Sequence, residues 1–113
     1  MRIEIKGRNL TVGDELTERV EKKFAKVGRQ VSALAELEIE LKEERNPSIR
    51  ESCVAEATLH LKGTTIRACE SSDDMTHSIN LLAEDLHRQV KRHRDKRRGR
   101  RETAKAQAQP DAP

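Results

Sequence analysis

Ser52 to Val90 reads SCVAEATLHLKGTTIRACESSDDMTHSINLLAEDLHRQV, and a change of apolar period inside it decides the fold. From Ser52 to Lys62, Cys53, Ala55, Ala57, Leu59 and Leu61 recur at every second residue, which puts them on one face of a strand. Lys62-Gly63 is a two-residue turn step, and Thr64 to Ser71 returns as another strand. Ser71-Ser72-Asp73-Asp74 then supplies helix-capping oxygens and first-turn carboxylates. Immediately afterwards Met75, Ile79, Leu82, Leu86 and Val90 repeat at four, three, four and four, the spacing of a long helix with one buried stripe.

Working outward, the amino-terminal part repeats the same two periods. Arg2 to Lys6 alternates strictly and turns Ile3 and Ile5 to one face of a strand, with Gly7 to Gly13 as its exit. From Asp14, Leu16, Val20, Phe24, Val27 and Val31 fall within about 80° on a helical wheel, and Arg19, Lys22, Lys23, Lys26 and Arg29 plot away from that stripe as a basic ridge. A strand follows at Leu34 to Lys42, where Leu37, Ile39 and Leu41 alternate with Glu36, Glu38, Glu40 and Lys42, so its outer face is acidic. Glu43 to Glu51 is a polar loop around Asn46-Pro47-Ser48. The predicted order is β-α-β-β-β-α: a two-layer α+β domain in which a four-stranded sheet carries two helices on one face and leaves the other open.

The charge is concentrated at the end of the second helix. Nine of the fourteen residues from Arg88 to Arg101 are Arg or Lys and only Asp95 is acidic, a net of +8 in a chain that carries +3 overall. Residues 1 to 87 therefore sum to −4 and the last twelve to −1. A single-signed basic block on an otherwise acidic protein suits neutralisation of phosphates, so the expected partner is a nucleic acid. The bland alternative is a solvated helix end, which charge runs usually are. For the ridge on the first helix that alternative is stronger, because Glu18 and Glu21 are placed to make helix-surface pairs worth roughly 0.2 to 0.5 kcal/mol each. Gly99 is expected to loosen the helix, and Glu102 to Pro113, rich in Ala, Gln and Pro, reads as a disordered tail or linker.

Composition excludes other classes. At 113 residues the chain is one domain. Phe24 is its sole aromatic residue, so a surface that stacks unpaired bases on Phe, Tyr or Trp is out of reach, and recognition must run through backbone charge and shape. No stretch approaches a membrane span and Met1 to Arg8 has no signal-peptide core, so a cytoplasmic location is expected. Cys53 and Cys69 fall on opposite sheet faces if the turn lies near Gly63, which argues against a disulfide. His60, His77, His87 and His93 offer no i, i+4 pair, so no metal site is expected. No convergent nucleophile, acid and base and no phosphate-cradling glycine loop are present, so neither catalysis, a cofactor nor a small-molecule substrate is expected.

Lys6-Gly7-Arg8-Asn9-Leu10, Val20-Glu21-Lys22-Lys23-Phe24, Ser72-Asp73-Asp74-Met75 and Leu86-His87-Arg88-Gln89-Val90-Lys91-Arg92 together resemble the ribosome hibernation factors. These are the hibernation-promoting factor and ribosome-associated inhibitor family, also called sigma-54 modulation proteins. The resemblance covers about residues 1 to 98 and rests on the order and spacing of the motifs. It implies a fold similar to double-stranded RNA-binding domains and a ribosome-binding domain over 1–98, with 99–113 as tail or linker. It further implies binding to the small ribosomal subunit and intact ribosome, in the messenger channel and across the aminoacyl and peptidyl tRNA sites, so that translation idles under stress or in stationary phase. Contacts to 16S ribosomal RNA carry over to Lys22, Lys23, Lys26 and Arg29 on the first helix and to Arg88, Lys91, Arg92, Arg94, Lys96, Arg97 and Arg98 on the second. Arg8, in the matching first loop, is a weaker carry-over.

Two departures qualify the match. Family members often have Tyr where this chain has Thr76, which removes an aromatic contact there. Long members continue through a linker into a domain that joins two ribosomes, and Glu102 to Pro113 resembles the start of that linker. The expectation leans to a chain cut in the linker over a short member, with ribosome dimerisation only where that further domain is missing from this chain. The rival readings are a general binder of structured RNA, and a protein-interaction regulator such as a sigma-factor modulator using Glu36, Glu38, Glu40 and Glu56.

Overall fold

The computed structural model describes residues 1–45 and 50–108, for 97–108 the backbone alone. Asn46-Pro47-Ser48 of the expected loop and 109–113 of the expected tail lie outside the described residues. The elements run β1 (Arg2–Arg8), α1 (Asp14–Lys23), α2 (Ala25–Gln30), β2 (Glu36–Glu43), β3 (Cys53–Leu61), β4 (Thr64–Ser72) and α3 (Met75–Ala108). The four strands form one sheet in the order β1-β2-β3-β4. β1 and β2 are parallel, which requires a crossover, and α1 with α2 supply it. The other two pairings are antiparallel, β3 and β4 closing on Leu61↔Thr64 around Lys62-Gly63. Gly63 holds φ +79°, a backbone that a side chain resists, so glycine suits this turn.

Alternation sorts the side chains as expected. Leu37, Ile39, Leu41, Ala55, Ala57, Leu59, Ile66 and Ala68 are buried on the side that meets Val20, Phe24, Val27, Ile79, Leu82, Leu86 and Val90 of the helices. α3 lies over β3 and β4, and α1 and α2 rest against α3. Cys53 is on the covered side and Cys69 is exposed on the open one, and both are free thiols. Asp74 caps α3, its Oδ2 accepting from the His77 amide at 3.2 Å. Ser78, fully buried, anchors the first turn by donating to the Cys53 carbonyl at 2.6 Å.

Four local differences from the sequence reading have physical reasons. The first helix is interrupted at Phe24, whose φ of −90° and ψ of 1° leave the helical well. Its amide still bonds the Val20 carbonyl at 2.9 Å, and the side chain is fully buried, so the break seats the sole aromatic ring in the core. Burying such a ring is worth about 2 to 3 kcal/mol, more than one irregular residue costs. The second strand begins at Glu36 instead of Leu34. Leu34 is 90% exposed in a turn where its amide donates to Ser32 Oγ at 3.1 Å. The strand β1 runs on to Arg8, and Leu10 and Val12 fold back over Gly7, where a Cβ would stand 2.6 Å from the Leu10 carbonyl oxygen. Last, α3 passes through Gly99 to Ala108. A mid-helix glycine costs only about 1 kcal/mol, and the Arg, Lys, Glu, Ala and Gln around it are strong helix formers.

Candidate nucleic-acid interface

The basic residues of the helices are exposed wherever the structure describes their side chains. Lys22 and Lys23 end α1, Lys26 and Arg29 belong to α2, and all four are exposed. On α3, Arg88, Lys91, Arg92, Arg94 and Lys96 are exposed, while Val90 is the last buried residue of the described stripe. His93, one turn on, is half-buried, as the stripe's spacing implies. Arg97 and Arg98 fall in helical backbone, and their side chains lie outside what the structure describes.

The two ridges are neighbours. Lys22, Lys23 and Lys26 form one wall of a cleft of about 350 Å³, and Asn80, Ala83, Glu84 and His87 of α3 form the other. Lys91 follows His87 by one helical turn, so the lysine ridge and the basic end of α3 make one continuous surface. Among the described residues none of these helical cations forms an ion pair. Among the described residues Glu18 and Glu21 form no ion pair with the ridge.

The open sheet face differs. Arg8 ends β1 and is not in a loop; its Nε lies 3.6 Å from Glu40 Oε1. By strand alternation it stands beside Arg2, Glu4 and Lys6, on the opposite side of the sheet from the helices, so the structure separates it from the other candidate residues. Glu36, Glu38, Glu40 and Glu56 do share this face. Parallel pairing, however, sets Arg2 beside Glu36 and Lys6 beside Glu40, and His60 Nε2 meets Glu38 at 3.2 Å. The outer side of β2 is acidic, yet the face as a whole is mixed.

Sequence reading missed a carboxyl pair at the rim of the helical surface. Glu70 of β4 and Asp85 of α3 hydrogen-bond one another, and Asp85 Oδ1 also accepts from Gln89 Nε2 at 3.2 Å. Burial raises the Glu70 pKa, the Asp85 charge and hydrogen bond add to the rise, and Arg88 opposes it. A carboxyl raised in this way binds its proton more tightly folded than unfolded. Its contribution is therefore fully present below the ordinary value near 4.5 and is lost as pH climbs through the folded-state value. Glu70→Gln, which keeps a neutral hydrogen-bonding group, is expected to raise the urea midpoint above wild type at about pH 7 and to match it at about pH 3.5. A variant less stable than wild type at the higher pH would contradict the pairing.

Among the described residues, no group of His, Cys, Asp and Glu is placed to hold a metal ion, and no helix is long and apolar enough to cross a membrane.

Comparison with known proteins places the fold in a family. The ribosome hibernation promoting factor of Salmonella typhimurium is 34% identical over 96 residues, which span 85% of this chain and 96% of that protein. The ribosome hibernation promotion factor of Picosynechococcus is 29% identical over 102 residues, but there the chain spans only 53% of the relative's length. Among solved structures, the Thermus thermophilus Protein Y N-terminal domain superposes with a TM-score of 0.70 at 29% identity, covering 82% of this chain and 99% of that one. A ribosomal subunit interface protein from Coxiella burnetii, at 23% identity and a TM-score of 0.69, shares the fold. Residues 3–98 match the model described as sigma 54 modulation protein / S30EA ribosomal protein, and the chain belongs to that family.

Proposed function

We propose that this chain is a non-catalytic, cytoplasmic ribosome hibernation factor that binds the small ribosomal subunit and intact ribosome through 16S ribosomal RNA. It works by occlusion, occupying the messenger channel and the aminoacyl and peptidyl tRNA sites under stress or in stationary phase. The binding unit is residues 1–98, and 99–113 serve as a tail or linker. The observation that carries the reading is the continuous surface of unpaired cations on α1, α2 and α3, on a family fold whose opposite face has its charges mixed. Unpaired, solvated cations are the form in which a protein displaces counterions from phosphates, because no internal partner competes. Lys22, Lys23, Lys26, Arg29, Arg88, Lys91, Arg92, Arg94 and Lys96 are the contacts, Arg97 and Arg98 extend them along the helix, and Arg8 stays outside this surface.

The test is a cell-free translation reaction dosed with the pure chain. Inhibition is expected, and it is relieved by excess messenger and initiator tRNA because all three occupy one channel. Inhibition that persists unchanged at saturating initiator complex, or sedimentation of the chain only with free large subunits, would rule out occlusion.

A further inference from the structure

Glu70 stands where the alternation of β4 calls for an apolar side chain. Ile66, Ala68 and Ser72 share its side of the strand and are buried, and so is Ala55, its register partner on β3. Asp85 of α3 meets Glu70 there, both of them half-buried. Gln89 fixes the meeting. Its Nε2 lies 3.2 Å from Asp85 Oδ1 and 3.0 Å from the Arg67 carbonyl oxygen, so one side chain ties this turn of the helix to the edge of the sheet. Two carboxyls are thereby held together at the seam between β4 and α3.

Arg88 links this seam to the cationic surface. It follows Asp85 by three residues on α3, is exposed, and is the cation that favours the ionised form of Glu70. The charged or titratable groups about Glu70 among the described residues are Asp85 and Arg88 from α3 and, beside it on β4, the Cys69 thiol. From β3 comes uncharged Ala55. A phosphate that takes Arg88 changes this balance twice. It brings a negative charge near the pair, and it occupies the cation that until then favoured ionisation. Both changes favour the protonated pair. By reciprocity, a proton on the pair strengthens the hold on the phosphate.

We propose that docking of ribosomal RNA on Arg88 takes up a proton from solvent on the Glu70–Asp85 pair, so that the chain holds small subunits more tightly as pH falls. The proposal rests on the RNA-binding reading above and adds to it a regulator of that surface.

Sedimentation binding of wild type, Glu70→Gln and Asp85→Asn to small subunits between about pH 5 and about pH 8 is the test. Each variant removes one negative charge, and Asp85→Asn keeps an oxygen that accepts from Gln89. Both are expected to bind more tightly than wild type at about pH 8 and equally at about pH 5. The gap at the higher pH is about tenfold for each unit by which RNA raises the pair's affinity for its proton. Other groups on the chain and on the ribosome titrate alike in all three proteins, so the ratio of affinities is the reading. Calorimetry of wild-type binding in buffers of different ionisation heat is expected to show net proton uptake, lessened in both variants. It needs no substitution, so it reads the coupling even where a variant unfolds. A ratio that stays constant with pH, variants that bind more weakly than wild type at the higher pH, or no net uptake by wild type would overturn the coupling. RNA binding itself would then still stand on the wild-type salt slope. Absence of wild-type binding at every pH would remove both.

Discussion

Replacing Arg88, Lys91 and Arg92 together with Glu is expected to abolish association with the small ribosomal subunit while the domain stays folded. All three side chains are exposed, and Leu82, Leu86 and Val90, which hold α3 on the sheet, are untouched. At about 1.5 kcal/mol or more per charge-assisted contact, three lost contacts weaken binding about a thousandfold before the repulsion of three new carboxylates is added. The salt dependence should flatten as well, by roughly 0.9 in log–log slope per phosphate contact on duplex DNA and comparably on folded RNA. Position 88 has a structural side effect, since Arg88 offsets the Glu70–Asp85 carboxyl pair and a Glu there would crowd it. A companion variant with Arg88→Gln in place of the reversal separates that effect from binding. Sedimentation binding over a salt series, with circular dichroism for folding, is the measurement. A folded variant that keeps wild-type affinity and slope would show that α3 is not the anchor.

Phe24→Ala is the substitution expected to damage the fold most. The side chain is fully buried where α1 gives way to α2, among Val20, Val27 and the α3 stripe. Truncation of a buried Phe costs about 3 to 5 kcal/mol, a large share of the 5 to 15 that hold a typical domain together. The ring is also what the helix break accommodates, so its loss removes the reason for the kink that carries Lys22, Lys23 and Lys26. Lys23→Ala, one residue away and exposed, is the control and should stay within about 0.5 kcal/mol of wild type. Urea unfolding followed by far-ultraviolet circular dichroism reads both. A cost for Phe24→Ala below about 1 kcal/mol would mean that the core is not packed around this ring.

The periods of the chain were sufficient for the elements and for which side of each is buried. Alternation from Cys53 to Leu61 and the four-three spacing from Met75 to Val90 are local properties, and any partner that buries the apolar side satisfies them. The same holds for the Asp74 cap and for the Lys62-Gly63 turn, whose chemistry involves neighbours in the chain. Arg8 was read as part of the first loop, and the structure instead ends β1 on it, beside Arg2 and Lys6 and away from the helices. The helical cations were legible because exposure follows from the same wheel that gives the stripe.

What period cannot carry is the meeting of two elements. The break at Phe24 obeys the helical spacing on both sides, so only the shape of the cavity that receives the ring reveals it. The mixed charge of the open face depends on β1 pairing in parallel beside β2, a register set across more than thirty residues of chain. The Glu70–Asp85 pair joins a strand to a helix, and the rise of the Glu70 pKa follows from its burial and from the Asp85 charge beside it. Asn80 and His87 lie on one side of α3 by the wheel, but the three lysines opposite them belong to α1 and α2. These features are decided by how the stripes dock, because the distance between side chains on different elements is set by packing and not by separation along the chain.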